Sequence, residues 1–415
     1  MNRFVRNGAL AIMVATFALG LGFVTPSAYA AAARQQQPEG PVLGRQVGVP
    51  LTAAQTAYNA NDIATALAKV AEANTVEEKT PFEVYHIEKL YGLIYVKQQD
   101  FANAVIHLNN AVDTGQMPEE DKPPLMRTMM LLNYNVKDYD RAIQYGAQGV
   151  NYPNWDAQSD QVMLTAYYFK EDYAGAEQFG LSAIARRDAA GEQVTGEFLS
   201  VLYNSQLRLD RQDAARLTME KLAVVDPTPD HWSAVIDFAY ATPNIPEHVL
   251  LNLYRLRLRT GSMAAPDYGG MANLDIKLGL PTEAKSVLDK AVAAGMMSAA
   301  DTAGPMAEVN RAISGEQEAL ADFERLAAAS ASGDLDIKLG ESLWTLGRAA
   351  ESETAIRRGI QKGGLADTAD AYLTLGIVLL DQGKMEEARQ AFAQAAQSAT
   401  TAQAAHVWDL YASSI

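Results

Sequence analysis

The 415-residue sequence contains no cysteine. This absence excludes disulfide bonds, thiolate metal sites, a cysteine nucleophile and the lipid-bearing cysteine of an exported bacterial lipoprotein. Non-covalent packing must therefore hold the fold. An excess of positive charge is also absent, because 34 Lys and Arg residues face 50 Asp and Glu residues, for a formal net charge of −16. Such a field repels phosphate groups, so nucleic acids are not expected partners.

Motifs for catalysis and metal binding are missing as well. The five histidines show no HExxH pairing, and the sequence contains neither GxxxxGK[ST] nor GxSxG. Acidic pairs such as Glu386 and Glu387 lie at predicted helix starts, where they face water or the helix dipole. We therefore expect no enzyme, no metal and no cofactor.

Residues 1–30 have the three-part pattern of a secretory signal. Two arginines precede an apolar run at 9–24, which is followed by the small-residue site Ala28-Tyr29-Ala30. We expect cleavage after Ala30, with no stable membrane insertion afterwards. The alternative is a retained anchor, because the run approaches the roughly 17 residues that a spanning helix needs. The short Ala-rich signal and the lack of cysteine favour export to a bacterial periplasm.

Beyond a predicted flexible leader at 31–50, the chain repeats a helical hairpin. In the clearest copy, residues 371–396, small residues such as Gly376 and Ala388 alternate with large ones such as Phe392. Small side chains at these positions let two antiparallel helices approach closely. One residue in each second helix marks ten units: Ala66, Ala104, Ala142, Ala176, Ala215, Leu250, Ala284, Ala319, Ser352 and Ala388. A single hairpin cannot bury its apolar stripe alone, so the units must stack.

This pattern resembles the tetratricopeptide-repeat family, whose unit is about 34 residues long. The matching residues are Gly92, Tyr95, Ala104, Leu108 and Ala111 in one unit, Leu339, Gly340, Leu343, Gly347 and Ile356 in another, and Ala272, Ala284, Leu288 and Ala291 in a third. The units around Gly146, Gly180 and Leu250 depart from the family pattern. The resemblance implies an all-α fold, a right-handed α-solenoid of about ten hairpins at 51–400 with a capping helix at 401–415.

The resemblance also implies a concave groove, lined by the first helix of each unit, that binds a partner protein. In the N-terminal half its lining residues would be His86, Lys89, Lys97, Arg127, Tyr134, Asn135, Gln161, Tyr168, Asn204 and Arg208. Four of these are basic, and 11 of the 18 tyrosines lie between Tyr58 and Tyr173. Alternatively, these residues are solvated helix faces and core tyrosines. Further on, Asp301, Asp334 and Asp370 are expected to cap helix starts.

These features predict a periplasmic scaffold or adaptor. Its N-terminal groove would take a protein segment with acidic side chains or a terminal carboxylate. The alternative is a structural component of an envelope machine, for polysaccharide export or outer-membrane assembly.

Overall fold

A computed structural model describes residues 41–241 and 243–415, apart from the side chains of 316–318. The regular elements of these residues are all helical, and the fold is the predicted all-α solenoid. The predicted signal at 1–30 lies outside the described residues. Within them, no helix combines the length and the apolar character that crossing a membrane requires.

The chain forms two compact units, which divide at Phe179 and Gly180. The helices up to the division, the last of which continues across it, are α1 (Arg45–Asn59), α2 (Ile63–Asn74), α3 (Pro81–Lys97), α4 (Phe101–Asp113), α5 (Lys122–Asn135), α6 (Tyr139–Gly149), α7 (Ala157–Phe169) and α8 (Tyr173–Ala189). A 3-10 turn, Glu119–Asp121, precedes α5.

Unit 2 contains twelve further helices in the described part of the chain. They are α9 (Gly196–Arg208), α10 (Gln212–Val225), α11 (Pro229–Tyr240), α12 (Glu247–Thr260), α13 (Ala265–Leu278), α14 (Pro281–Ala293), α15 (Ala299–Ala329), α16 (Asp334–Thr345), α17 (Ala349–Lys362), α18 (Thr368–Asp381), α19 (Met385–Ala395) and α20 (Ala402–Ser414).

The first hairpin begins earlier than the sequence predicted. Helix α1 starts at Arg45, inside the segment 31–50 that was expected to be a flexible leader. The reason is an apolar stripe at helical spacing, because Val47, Leu51 and Ala54 are all buried in the core that α1 shares with α2 and α3. The expectation of a leader therefore does not hold for residues 45–50.

The hairpins of unit 1 share one turn design. In each hairpin, the residue before the N-cap of the second helix has a left-handed backbone conformation. Its φ is between 61° and 64° at Asn61, Gln99, Lys137 and Glu171. An aspartate follows in every case, and its carboxylate accepts the backbone N–H three residues on, as Asp138 does from Arg141 at 3.1 Å. This cap satisfies one of the free N–H groups at the start of the second helix and so fixes where it begins.

Close helix approach occurs where the sequence predicted it. A Cβ atom on Gly376 would lie 2.4 Å from the Phe392 ring, and one on Gly92 would lie 2.4 Å from Leu108. Gly146 departs from the family pattern, and its surroundings explain why a glycine is needed there. A Cβ atom at this position would lie 2.5 Å from the sulfur of Met163. The flexible methionine side chain fills the space that a larger residue on the helix would occupy.

One predicted hairpin is absent. The unit anchored on Ala319 was expected to contain two helices, but residues 299–329 form the single helix α15. The turn glycines of the flanking hairpins, Gly279 and Gly347, have φ of 79° and 78°. Gly315 lies between them in the sequence, yet it lies inside α15 and is not among the positive-φ residues. Without a left-handed residue to reverse the chain, the helix continues.

The core of unit 2 is built around α12, which contains the irregular position Leu250. Arg255, Arg257 and Arg259 alternate with leucines along this helix. Each residue of an α-helix is rotated by about 100° from the one before, so side chains two residues apart point in nearly opposite directions. Arg257 pairs with Asp237 of α11, and Arg259 pairs with Asp381 of α18 at 2.5 Å. Helix α12 is thereby joined to helices on different sides of it.

The last helix, α20, does more than cover the final hairpin. It packs on α19, as a cap would, and also contacts α10, α11, α12 and α18. Trp408 is its central side chain and is fully buried. The end of unit 2 therefore packs against helices near its beginning.

Candidate protein-interaction surface

Lys89, a predicted groove residue, lies inside unit 1 and is 4% exposed. Its Nζ is 2.5 Å from Oδ2 of Asp121, and the Tyr85 hydroxyl donates to the same oxygen at 2.6 Å. In a buried pair of this kind each ion compensates the charge of the other, and separating them would leave a buried charge without a partner. Lys89 therefore joins α3 to the turn before α5 and does not present its charge at the surface.

His86 lies one turn before Lys89 and is half-buried. Its ring makes edge contacts with Phe82 and Tyr85, at centroid distances of 4.5 and 5.1 Å. Burial, followed by the positive charge of Lys89, lowers the pKa of His86 to about 4. The imidazole is therefore neutral near pH 7 and adds no positive charge to this face.

Arg127 is engaged with the start of α7. Its guanidinium donates to Asp156 at 2.6 Å and to Ser159 at 3.0 Å. Gln161, also on α7, donates to the Thr165 hydroxyl at 3.1 Å. The Arg127 contacts link neighbouring hairpins and the Gln161 bond lies within α7, so these predicted groove residues are engaged within the protein.

Three predicted groove residues, Lys97, Asn135 and Tyr168, lie at the C-terminal ends of α3, α5 and α7 and are more accessible to solvent. Lys97 is exposed, with its Nζ 4.5 Å from the centroid of the Tyr58 ring and donating to the Tyr58 carbonyl at 2.9 Å. Asn135 is exposed at the end of α5, and Tyr168 is half-buried at the end of α7. Tyr134 is buried but contributes its ring to the cluster described below.

The remaining two predicted residues, Asn204 and Arg208, belong to α9 in unit 2. Asn204 donates to the carbonyl of Ser200 at 2.7 Å, which is a bond within its own helix. Arg208 is exposed in the last turn of α9. The ten predicted residues are thus distributed over both units.

A row of aromatic side chains, which we call the turn edge, follows the hairpin turns of unit 1. It consists of Tyr134, Tyr139, Tyr168, Phe169 and Tyr173. Consecutive rings touch, with centroid distances of 5.8 Å between Tyr134 and Tyr139, 5.7 Å between Tyr139 and Phe169, and 5.5 Å between Tyr168 and Tyr173. Phe169 is 47% exposed, although a phenylalanine gains most from full burial.

The sequence contains a signal for this edge that the groove prediction did not use. The segments YNVKDY at 134–139 and YFKEDY at 168–173 place an aromatic residue four positions before the capping aspartate and another directly after it. The two aromatics therefore flank the left-handed turn, and the same turn recurs in the next hairpin. Stacking the hairpins aligns the rings in one row.

Arg255 of α12 is a buried charge in the core of unit 2. Its guanidinium donates to Glu283 at 2.6 Å and to the side chain of Asn252 at 2.7 Å, and it lies 4.6 Å from the centroid of the Trp344 ring. A planar, fully desolvated guanidinium with carboxylate and aromatic partners is a strong packing element. No group of three or more metal-ligating side chains occurs among the described residues.

Two carboxyl groups near Arg255 have raised pKa values. Burial first, and Glu283 second, raise the pKa of Asp275 on α13. Burial, followed by the charge of Glu341, raises the pKa of Asp370 on α18 to about 7. This region contains more acidic groups than Arg255 can compensate, so proton uptake balances its charge.

The sequence predicted that Asp370 caps α18, and this prediction is wrong. Asp367 is the capping residue, and its carboxylate accepts the backbone N–H groups of Ala369 and Asp370 at 2.9 and 3.1 Å. Asp301 lies in the first turn of α15, where it completes a capping box with Ser298.

Comparison with known proteins agrees with the hairpin geometry. Residues 369–400, which include most of α18 and all of α19, match the family model of the tetratricopeptide repeat. This segment of the chain is therefore similar to a tetratricopeptide repeat. No curated protein matches the sequence. Arrays of such repeats commonly form extended binding surfaces.

Three solved structures are similar to this repeat array. The apo form of RapI has 12% identity and a TM-score of 0.30, with 76% of this chain and 97% of that chain covered. A tetratricopeptide repeat protein from Parabacteroides merdae has 12% identity and a TM-score of 0.21, with coverage of 79% and 99%. The TPR2AB domain of yeast Sti1, in complex with pHSP90, has 14% identity and a TM-score of 0.23, with coverage of 80% and 98%.

Proposed function

We propose that this protein is an exported scaffold whose unit 1 holds a partner polypeptide at the turn edge. The observation that carries the proposal is the continuous row of aromatic rings with the exposed Phe169 at its centre. Tyrosine and phenylalanine provide large, rigid contact areas at a small cost in conformational entropy, and they are enriched where proteins bind one another.

The partner is expected to contribute apolar side chains to this contact. The buried pair of Lys89 with Asp121 and the pair of Arg127 with Asp156 occupy two of the basic residues that were predicted to attract an acidic segment. Lys97 and Asn135 remain exposed at the ends of their helices and can hydrogen-bond a bound segment at its margin. Aromatic contact therefore supplies the main attraction, and the charged residues supply orientation.

Export to the periplasm is part of this proposal and rests on the signal pattern of residues 1–30. A fusion of the chain to an enzyme that is active only outside the cytoplasm tests it. Activity is expected with the native N-terminus and should be lost when the apolar run at 9–24 is interrupted by charged residues.

Site-specific photo-crosslinking in the native host tests the binding surface. A photoreactive phenylalanine analogue at Phe169 is expected to trap a discrete protein adduct that mass spectrometry can identify. Ile106 is the matched control, because it is 55% exposed on α4 of the same unit and is not part of the turn edge. Adducts of equal yield at both positions, or none at Phe169 in the folded and exported protein, would rule out this surface.

The identity of the adduct separates the scaffold from the structural alternative. A soluble protein that is trapped only during crosslinking indicates a transient adaptor. An integral membrane protein that also co-purifies without crosslinking indicates a component of an envelope machine.

A further inference from the structure

Helix α20 has two separate sets of contacts within unit 2. The local set joins it to the last hairpin, that is to α18 and to α19, from which it is separated only by residues 396–401. The phenyl ring of Phe392 stacks on Trp408 at 6.2 Å, and Arg389 pairs with Asp409 at 2.9 Å. The Thr401 hydroxyl also donates to the Ala395 carbonyl, which closes the connection between the helices.

The remote set joins α20 to α10, α11 and α12. The Trp408 indole donates to the backbone carbonyl of Asn252 at 3.1 Å, and the Tyr411 ring meets Trp232 edge-on at 5.7 Å. His406 reaches α10, where its Nε2 lies 3.0 Å from the carboxylate of Glu220. One hydrogen bond, one contact between aromatic rings, one ion pair and the contact of the Arg259 guanidinium with the Trp408 ring thus hold α20 to these three helices.

We propose that α20 is a latch, which detaches from α10–α12 while it stays packed on α19, and that the pair of His406 with Glu220 controls this step. The two sets of contacts involve different helices, so the remote set can break while the local set persists. Detachment would expose the face of Trp408 that now meets α12 and the face of Trp232 that now meets α20.

The charges at the remote contact keep partners when the latch opens. Glu220 is buried, and Arg216 of its own helix pairs with it independently of His406. Arg259, whose guanidinium lies 5.3 Å from the centroid of the Trp408 ring, keeps its pair with Asp381 of α18. A buried ion without a partner would be a large barrier to opening, and here none is created.

His406 is the one member of this contact whose charge changes near neutral pH. The hydrogen bond with Glu220 raises the pKa of His406, and burial opposes that rise. Burial acts against ionisation of Glu220, yet His406 and Arg216 together lower the pKa of that carboxyl. The charged groups that act on the imidazole are Glu220 and Arg216 of α10 and Asp409 of α20, and Asp409 is itself paired with Arg389 of α19.

The direction of the pH effect follows from this shift. A histidine whose pKa is raised by its partner stabilises their contact fully while it is protonated. This stabilisation is lost as the pH rises through the raised pKa. The latch is therefore expected to be closed in mildly acidic solution and to open as the pH increases.

Distance measurement between spin labels tests the proposal in the full chain, because the absence of native cysteine makes labelling site-specific. Leu217→Cys on α10 with Ser413→Cys on α20 reports the remote contact, and all of these positions are exposed. Gln390→Cys on α19 with Ser413→Cys is the reference pair for the local contact. At pH 5.5 one short distance is expected for each pair, and at pH 9 a second, longer population is expected for the remote pair alone.

Two variants separate His406 from other groups that titrate in unit 2. His406→Ala should show the longer distance at both pH values. His406→Lys should stay closed at pH 9, because a lysine remains charged up to a pKa of about 10.4. An unchanged remote distance in all variants, a lengthened reference pair, or opening of the lysine variant at pH 9 would each overturn the proposal. Circular dichroism shows that every labelled variant is folded.

Discussion

The indole of Trp408 donates a hydrogen bond to the backbone carbonyl of Asn252, 156 residues earlier in the chain, at 3.1 Å. Both residues are fully buried, so neither polar group can exchange this partner for water. Since Trp408 also stacks on Phe392, one side chain holds the last hairpin and the central helix α12 together. The stability of unit 2 therefore depends on a contact between its last helix and a helix near its beginning.

Replacing Trp408 should reveal the size of this contribution. Trp408→Ala removes a fully buried aromatic side chain and is expected to lower the free energy of unfolding by about 3–5 kcal/mol. Trp408→Phe is the matched control, because it keeps most of the ring contact and loses only the indole hydrogen bond. It should cost about 1 kcal/mol plus the effect of the smaller ring. Urea unfolding measures both, and equal losses would contradict a role for ring packing.

Lys89→Met should destabilise unit 1 without affecting the turn edge. The change leaves Asp121 buried beside Tyr85 without its cation, which is expected to cost about 3 kcal/mol. Lys89→Met combined with Asp121→Asn removes the stranded charge and should recover much of that loss. Thermal unfolding measures the stability, and crosslinking at Phe169 measures binding in parallel. If Lys89→Met abolished crosslinking in the folded protein, then Lys89 would serve recognition, as the sequence pattern first suggested.

The raised pKa values of the two carboxyl groups near Arg255 predict that unit 2 becomes less stable as the pH rises. In the unfolded chain an aspartate ionises near pH 4, whereas Asp370 ionises only near pH 7 and the pKa of Asp275 is also raised. Their stabilising contribution is therefore complete below about pH 4 and is lost as the pH increases through the folded pKa values.

Urea midpoints at pH 5.5, 7 and 8.5 measure this dependence. The variant Asp275→Asn, Asp370→Asn should show a flatter profile than the parent chain. Both proteins should carry His406→Ala, because the latch histidine titrates in the same direction. An unchanged slope in the Asn variant would show that other groups cause the pH dependence.

Two glycines should respond in opposite ways to alanine. A Cβ atom on Gly333 would lie 2.0 Å from the carbonyl oxygen of Gly359, which is backbone and cannot move away easily. Gly333→Ala is therefore expected to destabilise the contact between α16 and α17 by more than 1 kcal/mol, as overpacking does. Gly315→Ala meets nothing within 4 Å and should stabilise α15 by about 1 kcal/mol.

The alanine at position 315 also tests the continuity of α15. If residues 299–329 formed a hairpin with a left-handed turn at Gly315, the same substitution would be destabilising, because alanine is disfavoured there. Thermal unfolding of the two single variants distinguishes these outcomes.

The sequence by itself determined the hairpin architecture, because the information for it is local. The left-handed position followed by aspartate in YNVKDY ends one helix and begins the next, and the small residue at Gly376 marks where two helices touch. These features act within a few residues of one another or at a constant spacing, so a periodic pattern reveals them. The missing turn at Gly315 shows the limit of that reasoning, since a glycine permits a reversal without requiring one.

Only the tertiary structure decided which charged groups are available to a partner. Lys89 and Lys97 look alike in the sequence, yet Lys89 is paired with Asp121, 32 residues further on, and Lys97 is exposed. The arginines of α12 likewise find carboxylates on helices up to 122 residues away. The charge of a residue is a property of its side chain, whereas its availability depends on what the fold packs beside it.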